Sequence, residues 1–258
     1  MKASQSDAVC RKLFPRWVLL NASLAAIGRV PDWPVADSVK KLWIEEILFC
    51  ARAAPAASPI FDPRDKQFRE FARLVTLRRA PAGQFHWEMG GLPRSYILHT
   101  PKRKWPELVE ILERGGARIL SGAVRGFPRF VDLHLNVRRK NRLTVSEREG
   151  LLSYFRLARS LELQPEVRGV CTCSWLYCET TGKVSPPLAW LRRFYLENGA
   201  FVASIGTAPS DSGFLEGSEM RRKLYAEGAY RPRMTYALWL RDDILAWANR
   251  NPELEASV

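Results

Sequence analysis

The stretch Arg168–Arg241, RGVCTCSWLYCETTGKVSPPLAWLRRFYLENGAFVASIGTAPSDSGFLEGSEMRRKLYAEGAYRPRMTYALWLR, decides the fold. Val170 to Cys178 is β-branched, aromatic and small, the composition of a buried strand. Ser185 is a good N-cap and Pro186 suits the first helical position. The helix that follows puts Leu188, Leu191 and Tyr195 on one face, with Trp190 and Phe194 beside them. Asn198 and Gly199 end it. Ala200 to Ala208 reads as a second strand. Pro209 to Gly217, PSDSGFLEG, is a loop of turn formers. Ser218 caps a short helix through Glu227, which Gly228 stops. Met220 and Leu224, at i and i+4, are expected on its core face, with Tyr225 about 100° round from Leu224. Met234 to Leu240 alternates and reads as a third strand. Strand, helix, strand, loop, helix, strand is an α/β or α+β order. A loop between a strand and a helix is also where such folds bind anions.

Working outward, Ser146 with Glu149 forms a capping box ahead of a helix that runs to Leu161. Arg129 to Val137 and Ala117 to Ser121 read as strands. Trp105, Leu108, Val109 and Leu112 share a helix face opened by Pro106. Leu74 to Arg78, Gln84 to Glu88 and Ser95 to His99 read as a meander separated by Pro and Gly turns. Before that, residues 1 to 60 form a helical N-terminal region. The organisation expected is this region followed by a mixed α/β domain over 61 to 258, with a softer alternative boundary at 122 to 128.

The chain has 258 residues and 47% hydrophobic content, enough for a real core, which excludes general disorder. No apolar run reaches the ~20 residues of a membrane span, and the N-terminus lacks the long apolar segment of a secretory signal. A cytoplasmic protein is expected. The formal net charge of +13 favours an anionic partner, an acyl-CoA or RNA. The basic residues are spread along the chain, with a local run at Arg138, Arg139, Lys140 and Arg142. Five cysteines make an odd number, and Cys171 and Cys173 point to one side of a strand, so reduced thiols are expected.

Phosphate-binding glycine loops, zinc-protease motifs, nucleophile elbows and paired CxxC motifs are absent from the sequence. Cys171, Cys173 and Cys178 fit no standard zinc module, so no metal is expected. All three histidines, His86, His99 and His134, fall in predicted strands. His134 lies directly before the basic run, where a strand end can face a phosphate-bearing ligand. Arginine forks such as Arg138 match phosphate oxygens with paired hydrogen bonds.

RRKLYAEGAYRPRMTYALWLR, Arg221 to Arg241, resembles the end of the GNAT acyltransferase fold, where a helix tyrosine precedes a glycine, an aromatic residue and a strand. Leu224, Tyr225, Gly228, Tyr230 and Tyr236 to Leu240 carry the likeness. HLNVRRKNRLT followed by a helix and CSWLY is similar to the C-terminal halves of larger GNAT-like acyltransferases, with His134, Ser174, Trp175 and Leu176 matching. The resemblance spans about residues 130 to 241. The family's pyrophosphate-loop pattern is absent; Gly206, Gly213 and Gly217 stand at other spacings. The resemblance implies a mixed, largely antiparallel sheet flanked by helices. It implies acyl-CoA as co-substrate and transfer of the acyl group to an amine or hydroxyl of a small-molecule acceptor. An aminoacyl-tRNA is a second possible donor. Tyr225 is the implied acid for the departing thiolate, and His134 or Glu179 the candidate base. Ser212, Gly213 and Ser218 would offer donors to phosphate, and Arg138, Arg221 and Arg222 would supply charge. Two other functions are open to the same sequence. One is RNA binding without chemistry, through basic and aromatic residues. The other is a biosynthetic accessory with an aromatic-lined pocket.

Overall fold

The computed structural model describes residues 79–88, 90–127, 129–135, 146–162 and 164–257. The expected N-terminal helices and Leu74 to Arg78 lie outside the described residues, as does Arg138. Two compact units divide at Pro81, the first spanning Met1–Pro81 and the second Ala82–Val258. Strand β1, Arg79–Pro81, belongs to the first. The second carries everything that follows.

Its strands are β2 (Phe85–Glu88), β3 (Phe130–Leu135), β4 (Gly169–Ser174), β5 (Phe201–Thr207) and β6 (Arg233–Leu240). They lie in the order β2-β3-β4-β6-β5. β2–β3, β4–β6 and β5–β6 are antiparallel, whereas β3 and β4 are parallel. The sheet is therefore mixed and largely antiparallel, flanked by helices, as expected. The parallel pair needs a crossover, and α4 (Glu147–Glu162) supplies it. The Ser146 hydroxyl faces the Glu149 N–H at 3.5 Å at the start of that helix.

Side chains alternate across the strands, so the register sorts them onto two faces. On one face Phe130, Cys171, Phe201, Tyr236 and Leu238 meet Ile97 of α1 (Arg94–Leu98) and Leu108, Ile111 and Leu112 of α2 (Trp105–Arg114). The other face is aromatic. Tyr154 of α4 stacks on Phe194 of α6 (Ala189–Glu197), with centroids 4.5 Å apart and planes 9° apart. Trp239 and Tyr195 meet Tyr154 edge-on, and Trp247 of α8 (Arg241–Asn249) closes against Phe194 at 5.2 Å. A Cβ on Gly150 would land inside the Trp190 ring, so this helix position admits no side chain.

Two expected strands are helices. Ser95 to His99 falls in α1, where Pro93 sets the entry and the Thr100 hydroxyl donates to the Tyr96 carbonyl at 2.9 Å. His99 is thus a helix C-cap, not a strand residue. Ala117 to Ser121 leads into α3 (Ile119–Arg125), whose Gly122 lies against the Phe127 ring. Tertiary packing overrides a five-residue alternation in both cases. The strand from Val170 stops at Ser174: its hydroxyl accepts from the Leu176 N–H at 3.3 Å and folds Trp175–Tyr177 into a 3₁₀ turn. Cys178 then caps α5 (Glu179–Val184). Among the described residues no helix is long and apolar enough to cross a membrane.

Candidate functional site

β3 and β4 pair only at Phe130↔Gly169, Val131↔Val170 and Asp132↔Cys171, although the strands run on to Leu135 and Ser174. The ladder ends there and the strands fork. At the fork the Leu133 carbonyl accepts from the Thr172 hydroxyl at 2.8 Å. The facing edges beyond it carry N–H and C=O groups that no β3–β4 ladder bond takes up. Buried main-chain groups need partners, so a fork of this kind is suited to an amide-bearing ligand.

His134 is the first residue past the fork on the face that carries Phe130 and Asp132. Its Nε2 lies 3.3 Å from the Asp132 carboxylate and 4.0 Å from that of Glu88. Register produces this cluster: His86 stands opposite His134 and Glu88 opposite Asp132. The His86 and His134 rings are 5.4 Å apart. His134 is 44% exposed, whereas Glu88 and Asp132 are mostly covered. The Asp132 carboxylate holds the Nε2 edge of the imidazole, a pairing suited to proton transfer.

On the opposite face, Thr172 touches the Tyr177 hydroxyl at 3.3 Å. The Tyr154 and Tyr195 hydroxyls come within reach of Tyr177 and of each other, yet neither has a bond of good geometry. Burial pushes the Tyr177 phenol up to about 12, against the Thr172 bond and the nearby Tyr154 and Tyr195 hydroxyls, which pull it down. Burial also pushes Tyr154 and Tyr195 well up. The three stay neutral and keep their protons at neutral pH. Sequence reading placed Tyr195 only as a packing residue; its hydroxyl chemistry appears once Tyr177 leaves the strand and turns toward it.

Beyond Tyr177, a depression of about 500 Å³ lies between α5 and α6. Leu176, Leu188 and Leu196 line it together with Cys178, Lys183, Arg192 and Arg193. Arg192 donates to the Tyr177 carbonyl at 3.0 Å, and Arg193 pairs with Glu147 at 3.0 Å. Glu179 sits on this rim, 2.7 Å from Lys183. The Lys183 bond and charge, and then Arg192, hold its carboxyl below the usual range. That weakens Glu179 as a base and leaves His134 better placed.

The remaining expected residues come together in one unit, Pro209 to Ala226. Gly213 is left-handed at φ 79°, a conformation that favours glycine. The Ser218 hydroxyl accepts from the Arg221 N–H at 3.2 Å and caps α7 (Glu219–Ala226), as expected. The helix face differs from expectation. Met220 is 59% exposed, and Arg221 is the buried side chain at 6%. Its Nε donates to the Phe214 carbonyl at 2.6 Å, Nη2 to the Glu216 carbonyl at 2.7 Å and Nη1 to the Ser185 hydroxyl at 3.1 Å. The guanidinium lies over the Trp175 ring at 5.2 Å, and the Trp175 Nε1 donates to the Ser212 carbonyl at 2.9 Å. Arg222 donates to the Leu215 carbonyl at 3.2 Å. The Ser212 hydroxyl donates to the Pro209 carbonyl at 2.6 Å. The loop thus turns carbonyls toward a cation, the reverse of the N–H nest that holds an anion. Tyr225 packs on Phe214 at 5.1 Å and under Arg231 at 4.4 Å.

No family model and no curated protein matches the sequence. Among solved structures, an acyltransferase in complex with decanoyl-CoA and teicoplanin is similar, with 13% identity and a TM-score of 0.43. The match covers 84% of this chain and 64% of that one, so the present chain spans less than two thirds of its length.

Proposed function

We propose that the protein transfers an acyl group from a thioester, an acyl-CoA, to the amine or hydroxyl of a small acceptor. The observation that carries this reading is the fork between β3 and β4 with His134 on its bank. An extended, amide-containing carrier arm can pair with the parted strand edges as a further strand would. That seats the thioester between His134 on one face and Tyr177 on the other. His134, held by Asp132, takes the proton of the acceptor N–H or O–H. The freed lone pair attacks the carbonyl carbon, and a strand N–H stabilises the developing oxyanion. The C–S bond breaks, and the sulfur leaves as a thiolate hydrogen-bonded by the Tyr177 hydroxyl. With its phenol near 12, Tyr177 stabilises the thiolate by this bond without giving up its proton. The thiolate then protonates from solvent.

The phosphate end of the carrier goes to the basic rim of the depression, where Lys183, Arg192 and Arg193 stand. Tyr177 links the depression to the fork through its carbonyl and its hydroxyl. The exposed Arg222, beside the loop of Ser212, Gly213 and Ser218 that Arg221 organises from within, is a second basic place for the phosphate end. Tyr225 is the alternative to Tyr177.

The experiment is a thermal-shift titration with CoA, acetyl-CoA, longer acyl-CoAs and an aminoacyl-tRNA, followed by thiol-release assays of the binding donors over a panel of amines and alcohols. A ligand that binds only the folded state raises the melting temperature. His134→Gln should keep the shift and lower turnover by roughly a hundredfold or more. No shift with any thioester, or full turnover by His134→Gln, would overturn the proposal.

A further inference from the structure

The two banks of the fork differ in chemistry. Past Asp132 and Cys171, the first side chains on the shared face are His134 on β3 and Cys173 on β4. The His134 bank is polar, with Asp132 and Glu88 beside it. On the Cys173 bank the half-buried side chains Cys173, Tyr96 and Ile205 pack against the core. The Tyr96 hydroxyl comes within reach of the Cys173 thiol. Its ring stacks on Tyr236 at 5.7 Å, and Tyr236 is the cross-strand partner of Cys173. Thr100 holds this arrangement from below. Its hydroxyl meets the Tyr236 hydroxyl at 2.8 Å and the Tyr96 carbonyl at 2.9 Å.

We infer that Cys173, Tyr96 and Ile205 form the wall on which the acyl group rests, and that the Tyr96 ring sets the longest chain accepted. The inference rests on the acyl-transfer reading and adds to it the class of donor: a saturated acyl thioester of limited length. A thioester carbon seated in the fork has one bank that meets a nucleophile and its proton acceptor. The opposite bank offers a thiol, an aromatic ring and a branched aliphatic chain, surfaces that favour a hydrocarbon tail. Cys173 serves as wall and not as nucleophile. Burial pushes its thiol up to about 11, so little thiolate exists at neutral pH. Tyr96 is anchored at its ring by Tyr236 and at its backbone by Thr100, which makes it a fixed stop.

The test compares dissociation constants of CoA and of its acetyl, butanoyl, octanoyl and decanoyl thioesters for wild type, Tyr96→Leu, Tyr96→Ala and Cys173→Phe. Each methylene that finds apolar surface adds roughly threefold to fourfold in affinity. Wild type should gain affinity with length and then level off. Tyr96→Ala should move that limit to longer chains, and Cys173→Phe should move it to acetyl. CoA itself should bind all four proteins equally. Tyr96→Leu keeps most of the bulk and guards against a variant that fails to fold. If CoA binds and the length profile is the same in every variant, the acyl wall is wrong and the transfer reading stands. If neither CoA nor any thioester binds wild type, both fall.

Discussion

Arg221 should carry a large share of the local stability of the loop Pro209 to Gly217. Its guanidinium donates three hydrogen bonds, at 2.6, 2.7 and 3.1 Å, to neutral acceptors. Bonds from a charged donor contribute about 1.5–3 kcal/mol each. The gross sum is offset by the cost of taking a cation from water without a paired anion. That cost is visible in the guanidinium, which burial pushes below its usual value. Replacing Arg221 by methionine keeps the length and removes every donor. The Phe214 carbonyl, on a fully buried residue, then loses its partner, whereas the Glu216 carbonyl on an exposed residue can turn to water. One unsatisfied buried acceptor at ~1–3 kcal/mol, with the lost stacking on Trp175 at ~1 kcal/mol, gives a destabilisation of about 3 kcal/mol. For a domain of this size that is roughly 6–12 °C in melting temperature.

The assay is denaturant unfolding of wild type, Arg221→Met and Arg221→Lys, with limited proteolysis of the loop. Lysine keeps the charge but not the fork, so Arg221→Lys should fall close to Arg221→Met. Cleavage should appear between Pro209 and Gly217 in both. A change below about 0.5 kcal/mol, the range of ordinary surface substitutions, would refute the internal role. Unchanged stability with weakened binding of an acyl-CoA would instead restore Arg221 to the phosphate site expected from sequence.

Gly150→Ala should cost about 3 kcal/mol by overpacking, since its Cβ enters the Trp190 ring; a stability measurement within 0.5 kcal/mol of wild type would contradict the packing of α4 on α6. Stability should fall steeply on the alkaline side. Burial raises Cys173 from 9.0 to about 11, Tyr177 from 10.0 to about 12, and Cys171, Tyr154, Tyr195 and Tyr236 further. An acid raised in the folded state contributes stability that is complete below its unfolded value and lost as pH rises through its folded value. Each such group therefore removes about 1.4 kcal/mol per pH unit in its window, and Cys173→Ser should flatten the unfolding free energy between pH 9 and about 11. Tyr177→Phe should lower turnover roughly a hundredfold, as loss of an oxyanion donor does, and Tyr225→Phe should leave it near wild type; the reverse ranking, measured by thiol release, would return the thiolate contact to Tyr225.

Much of the second unit was legible because its signals are local. Ser218 and Gly228 bracket α7, and the alternation of Met234 to Leu240 marks β6. The helix from Ala189 buries Leu191, Tyr195, Trp190 and Phe194 together. Ser95 to His99 and Ala117 to Ser121 were misread because five residues fit either period, and Pro93 and Phe127 decide the outcome from outside the segment. Arg221 was misplaced for a different reason. An arginine in the run Arg221, Arg222, Lys223 of a short helix reads as solvent-facing, and only the curl of PSDSGFLEG around it supplies the carbonyls that let it go inside. His134 was singled out from its neighbours in sequence, but Glu88 lies 46 positions away, and only the β2–β3 register brings it close. The fork depends on where two strands stop pairing, which no spacing in either strand encodes.

The division of faces also bears on the proposed acyl transfer. Asp132 and His134 differ by two positions and share a face, so carboxylate and imidazole meet within one strand. Cys171 and Thr172 differ by one, so the residue that follows the last paired one on β4 turns to the opposite side and meets Tyr177. Under the proposed transfer, a substrate in the fork would meet its proton acceptor on one face and its thiolate donor on the other, and neither residue would have to change role during a turnover. Both positions depend on the same event, the end of the ladder at Asp132↔Cys171. One more pair of ladder bonds would close the edges at Leu133 and Thr172 and leave His134 and Tyr177 on either side of a sealed sheet. The side chain that occupies the first unpaired step is Thr172, whose hydroxyl takes the Leu133 carbonyl in place of a backbone N–H. A valine there would keep the β-branched shape but leave that carbonyl to seek a main-chain partner. Under the same proposal Thr172 would act as a positioning residue: it takes the Leu133 carbonyl where the ladder ends and touches Tyr177 on the other side.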